Sequence, residues 1–296
     1  MSKEQAFRSI FRLLQIATIG VFVGRGLQHL CFGAPYRTLL WDEAWMSWLI
    51  EGGLFDLSWS DYVTNAGVDQ GITAFTKGVG IFYLICALVA LLLKKLPRFL
   101  HYLLLLGAVS LVFLAFLYCK ERFFQAGQFL EYSLQFTAPI FLYLFYKESD
   151  SSQLSISESL LRYLKIAIAT TFICHGLYAV GYYPRPGHFM DMVLNILNLE
   201  ETQVKQFLLF VGIMDFIAAV LLFFPRKIAL LAAAYITFWG FMTTIARVWA
   251  YFQSDFWQET LLRWLPESVM RFPHFLIPLA VLIWLIRAVH VMRQQV

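Results

Sequence analysis

The stretch RLLQIATIGVFVGRGLQHL, Arg12–Leu30, decides the fold. Between its two arginines it carries no charge, and 13 helical residues there cover about 20 Å of hydrocarbon. The chain repeats it at an offset of 150 as RYLKIAIATTFICHGLYAV, Arg162–Val180. Arg12, Leu14, Ile16, Ala17, Phe22, Gly26 and Leu27 recur as Arg162, Leu164, Ile166, Ala167, Phe172, Gly176 and Leu177. At an offset of 132, Val79, Gly80 and Ile81 fall on Val211, Gly212 and Ile213, and Ile85 and Ala87 on Ile217 and Ala219. At 139, Phe136 and Pro139 meet Phe275 and Pro278. A tandem duplication accounts for all three offsets, with a longer loop in the first copy.

Working outward, the whole chain has the same character. Of 296 residues, 60% are hydrophobic and only 14% charged, against roughly 45–50% and 25% in soluble domains. The apolar segments predict an all-helical polytopic membrane bundle with eight spans, at about 9–32, 74–93, 98–119, 126–146, 158–182, 205–224, 227–250 and 272–292. Four fall in a first repeat, 1–147, and four in a second, 158–296, with a polar linker at 148–157. An even number per unit gives both units the same orientation, a parallel repeat about the membrane normal.

Lysine and arginine counts orient the bundle. With the termini, the turns at 94–98 and 226–227 and the linker on one side, that side holds 13 basic and 4 acidic residues; the other holds 9 and 14. Both termini are therefore expected in the cytoplasm of a cell of bacterial inner-membrane type. The outer connections carry apolar stripes at helical spacing, Leu40, Trp41, Ala44, Trp45 and Trp48 in one and Phe189, Met190, Val193, Ile196 and Leu197 in another. These suit helices lying in the interface, as does the segment YFQSDFWQETLLRWLP, 251–266. No basic cluster suggests nucleic acid. Cys31, Cys86, Cys119 and Cys174 form no C-x-x-C pair, so spacing predicts no metal site. Cys31 and Cys119 both fall near the outer face, and spacing leaves their pairing open.

Measured at 1.5 Å per residue from the cytoplasmic charges, Arg25, Tyr83, Gln135, His175, Asp215 and His274 share a slab about 16–20 Å deep. The offsets pair them as Arg25 with His175, Tyr83 with Asp215, and Gln135 with His274. A charge in hydrocarbon costs several kcal/mol, of order 3 on insertion scales, so Arg25 needs a partner. Asp215 is the carboxylate expected at its depth, with Glu131 a second choice slightly farther out. Gly20, Gly24 and Gly26 around the arginine allow a backbone or a ligand to come close. Three readings follow. The layer is either an Arg25–Asp215 lock between the halves, or a pocket whose apolar walls hold a membrane lipid while these six residues contact its head; a proton or ion path is the remaining alternative.

HGLYAVG, 175–181, and MDFIAAVLLFFPRKIALL, 214–231, resemble the DoxX-like family of four-helix membrane proteins. Gly176, Asp215 and Arg226–Lys227 match that family's glycine, acid and basic turn. In the first half Gly26 and Lys94–Lys95 match, while Tyr83 stands in place of the acid. The resemblance implies a quinone as possible cofactor and a membrane subunit of a redox system with a redox or envelope partner. A more distant similarity, to the membrane part of vitamin-K-type carboxylases, again implies a quinone-like lipid. A transporter, a lipid-handling protein and a structural scaffold for a partner remain open, and whether the chain is an enzyme stays undecided.

Overall fold

The structure is a computed structural model that describes residues 2–54, 57–149 and 157–293. It is helical throughout, with no strand among the described residues. Helix α1, Lys3–Cys31, starts at a capping box in which Ser2 and Gln5 exchange backbone-to-side-chain hydrogen bonds. Three short helices follow, α2 (Arg37–Leu40), α3 (Glu43–Leu49) and α4 (Trp59–Thr64), before α5, Ala66–Leu91. Then come α6 (Tyr102–Glu121), α7 (Ala126–Glu131) and α8 (Ser133–Ser149). The rest comprises α9 (Glu158–Val180), α10 (Gly187–Leu197), α11 (Glu201–Leu221), α12 (Arg226–Tyr251), α13 (Trp257–Val269) and α14 (Pro273–Arg293).

Six helices are long and apolar enough to cross a membrane: Glu4–Cys31, Ala66–Leu91, Arg98–Glu121, Glu158–Val180, Glu201–Leu221 and Arg226–Tyr251. A seventh span results if α13 and α14, bent by 41° at their junction, are taken together. The expected span at 126–146 is instead broken at Tyr132, and α8 has 17 residues, at the short limit for crossing. Residues 150–156 of the 148–157 linker fall outside the described residues. Exposed Ile81, Leu88, Val109, Leu231 and Phe238 face outward, the arrangement that lipid rather than water favours.

The outer connections are helical as their stripes predict. Asp42 caps α3, and Trp41, Trp45 and Trp48 are exposed, at a position suited to the headgroup layer. Lys120 at the end of α6 pairs with Asp42, and Arg37 pairs with Asp69 of α5 at 2.6 Å, which ties this connection to the spans. Segment 251–266 is more than an interfacial helix. It continues as α13, buries Thr260, Pro266 and Ser268, and runs into the last span.

Close helix approach follows the glycines. A Cβ on Gly24 would lie 2.6 Å from the Met270 nitrogen and 2.7 Å from the Pro266 oxygen, and one on Gly20 2.8 Å from the Val269 oxygen. The small face of α1 therefore holds the α13–α14 bend: a backbone, not a ligand, occupies it. Gly26 of α1 meets Gly80 of α5, and Gly176 of α9 meets Gly212 of α11, each pair with a carbonyl about 3 Å from the position a Cβ would take. Gly107 of α6 lies under the Phe22 ring and Gly240 of α12 under Phe172.

Candidate functional site

Arg25 is 3% exposed, and its guanidinium is met by neutral groups. Nε and one terminal nitrogen donate to Gln135 Oε1 at 3.0 and 2.7 Å. The other terminal nitrogen donates to Gln28 Oε1 at 2.8 Å and to Tyr118 Oη at 3.4 Å. The Tyr118 and Tyr132 rings flank the guanidinium at 5.3 and 4.9 Å, a cation–π arrangement. The expected ion pair with Asp215 does not form. Asp215, on α11, accepts from Tyr235 of α12 at 3.2 Å. The two residues share a depth but point into different parts of the bundle, because depth along a helix says nothing about its rotation.

Four of the other expected site residues meet in an ordered way. Gln135 is the partner of Arg25, and the rings of His175 and His274 stack at 5.4 Å with 12° between their planes. Tyr83 exchanges a hydrogen bond with Ser110 of α6 at 2.9 Å, much as Asp215 is bonded from α12. Tyr83 also packs edge to face on His29 at 5.2 Å and is wholly buried. Glu131, the second acid considered for Arg25, lies 3.3 Å from His175 Nε2, within ion-pair reach but misaligned for a hydrogen bond. The cysteines are all free: Cys31 is exposed, and Cys119 Sγ contacts the Gln125 carbonyl at 3.4 Å.

A cavity of about 250 Å³ opens in the second half. Phe189, Val193 and Ile196 of α10, Phe207 and Val211 of α11, and Trp239 of α12 give it apolar walls. Its polar wall holds His175, Asp215 and His274 together with two arginines, Arg247 of α12 and Arg271 at the α13–α14 bend. Apolar walls around a few convergent polar groups are the usual build of a small-molecule site.

Arg25, Gln135 and Tyr83 do not line this cavity. Arg25 and Gln135 bond each other, and Tyr83 bonds Ser110. The sequence reading missed Arg247 and Arg271 by counting both among outer-face charges. A signal was present: Trp239, Thr243, Ala246 and Arg247 recur at helical spacing, so one face of α12 runs from aromatic to cation. Burial settles which way that face turns, since Arg247 is 5% and Arg271 8% exposed.

The two arginines differ in how they are held. Arg271 pairs with Glu267 at 2.8 Å and also donates to that residue's carbonyl at 2.9 Å. Arg247 has one backbone oxygen, that of Thr243, at 3.4 Å and the Met192 sulfur at 3.8 Å. On α10, outside the spans, burial and then Arg247 and Arg271 push the His188 imidazole down to about 3. Burial, reinforced by the arginines, therefore keeps His188 neutral. Compared with protein-family models, with curated proteins and with solved structures, the chain matches none.

Proposed function

We propose that this chain is a multi-pass membrane protein that holds one lipid-like amphiphile in the cavity of its second half, with His175, His274, Arg247 and Arg271 at the polar head. The observation that carries the reading is the cavity itself, apolar on the α10–α11–α12 side and polar toward α9 and the α13–α14 bend. The stacked histidines suit hydrogen bonding or proton transfer to a head group, since imidazole does both near neutral pH. In the quinone version, which rests on the DoxX-like resemblance, the chain is the membrane subunit of a redox system of bacterial inner-membrane type. A lipid-handling or transport role needs the same cavity and no redox chemistry.

The architecture we infer is two parallel four-helix repeats, 1–147 and 158–296, crossing eight times with both termini cytoplasmic. Support comes from contacts that recur at the sequence offsets, Gly26 on Gly80 and Gly176 on Gly212. Arg25 bonds Gln135 in the first half, and His175 stacks on His274 in the second. Helix α8 would then cross as a short span entered through α7.

The test is extraction. Protein purified in mild detergent is extracted with organic solvent, and co-purifying molecules are identified by mass spectrometry, with Ala246→Phe as the cavity-filling control. One amphiphile per chain, depleted in A246F, is the expected result. Equal amounts in both proteins would remove the cavity as its site.

A further inference from the structure

Among the described residues, no carboxylate pairs with the Arg247 guanidinium. Buried charges are ordinarily paired, because desolvation costs several kcal/mol of order and an opposite charge offsets it. Glu267 and Glu131 act on Arg247 from a distance, and neither is hydrogen-bonded to it. Glu267 is held by Arg271 at 2.8 Å, and Glu131 faces His175 at 3.3 Å. Asp215 borders the same cavity but accepts from Tyr235, which lies 12 residues from Arg247 along α12, or about 18 Å of helix rise. Of five N–H donors, Arg247 uses one terminal nitrogen, on a 3.4 Å carbonyl and a thioether. Arg25 shows that this bundle can saturate a buried guanidinium with side chains when nothing else is to bind there.

Resting on the amphiphile reading above, we propose that the cavity's ligand carries an anionic head, a carboxylate or a phosphate, and that Arg247 is the residue that binds it. The planar guanidinium fork matches both oxyanions and can hold either through two parallel hydrogen bonds. Arg271, already paired with Glu267, has less of its fork to offer. A neutral quinone would leave most of the Arg247 donors unused, so the donor inventory favours an acid or phosphate over a quinone.

The experiment is a thermal-unfolding titration in a neutral neopentyl-glycol detergent with four probes: dodecanoate, dodecyl phosphate, dodecanol and decylubiquinone. A ligand that binds the folded state raises the midpoint in proportion to the logarithm of its saturation. The expected result is that dodecanoate, dodecyl phosphate or both act at concentrations at least tenfold below the two uncharged probes. Whichever anion is the more potent identifies the head chemistry as carboxylate or phosphate. Arg247→Gln should abolish that preference while the uncharged probes still act weakly, and Arg247→Lys should keep part of it. Equal potency of all four probes, or a preference unchanged in R247Q, would overturn the anionic head and leave the amphiphile site standing. If no probe shifts the wild-type protein more than it shifts A246F, both readings fall together.

Discussion

In the first half His29 and Tyr83 pack edge to face at 5.2 Å, both buried, and neither lines the cavity of the second half. The residues 150 and 132 positions later are Ala179 and Asp215, and both border the second-half cavity. Two rings in one place and a methyl and a carboxylate in the other separate a filled polar layer from an open one. The arginines follow the same division. Arg25 sits in the filled half with its donors met by Gln135, Gln28 and Tyr118, whereas Arg247 faces the open half with donors to spare. Buried polar side chains thus close on one another or line a cavity according to the volume of their neighbours.

The comparison breaks most readily at Tyr83. Tyr83→Ala removes a wholly buried ring from contact with Phe22 and His29, and should cost about 3–5 kcal/mol of stability. Asp215→Asn, at a cavity wall, should cost under about 1 kcal/mol. Unfolding in detergent measures both, and equal losses would mean that the first half is no better filled than the second. Next come the arginines. Arg25→Met orphans Gln135 and Gln28 and should cost about 2–3 kcal/mol. Arg247→Met in ligand-free protein should be neutral, or stabilising by up to about 1 kcal/mol, because it relieves an unpaired buried charge. A loss at Arg247 as large as at Arg25 would contradict the assignment of a spare cation.

Gly26→Ala and Gly176→Ala sharpen the likeness of the halves rather than their difference. Each added methyl meets a carbonyl across the helix pair, at 3.1 Å on Gly80 and 2.9 Å on Gly212. Both should lose about 1–3 kcal/mol, to similar extents. A strongly one-sided loss would argue against equivalent packing. The smallest effect is at His188. Its folded pKa is depressed to about 3, so below the ordinary value near 6.5 the unfolded chain takes up a proton that the fold refuses. Stability should fall as pH drops from about 6.5 toward 3, and His188→Gln should flatten part of that slope. An unchanged slope would remove His188 from the neighbourhood of the arginines.

Much of this was legible in order along the chain. The offsets of 150 and 132 identified Gly26 with Gly176 and Gly80 with Gly212, and these are the contacts where helices touch. The shared depth of Arg25 with Gln135, and of His175 with His274, followed from helical rise alone, and each pair does meet. The partner of Arg25 was misread because Asp215 has the right depth and the wrong azimuth. The break at Tyr132 was hidden because 126–146 is apolar enough for one uninterrupted helix.

By itself the sequence determined a helical chain with helices long and apolar enough to cross a membrane, and glycines around Arg25 that admit a close backbone. Hydrophobic transfer and the fixed rise of a helix depend only on composition and position. Only the tertiary structure decided which polar groups meet, which half stays open and that Arg247 and Arg271 turn inward. Those outcomes depend on the rotation of each helix and on side-chain volumes contributed by elements far apart in the chain. Arg247 on α12, Arg271 after α13 and His175 on α9 become one wall only when three helices pack together.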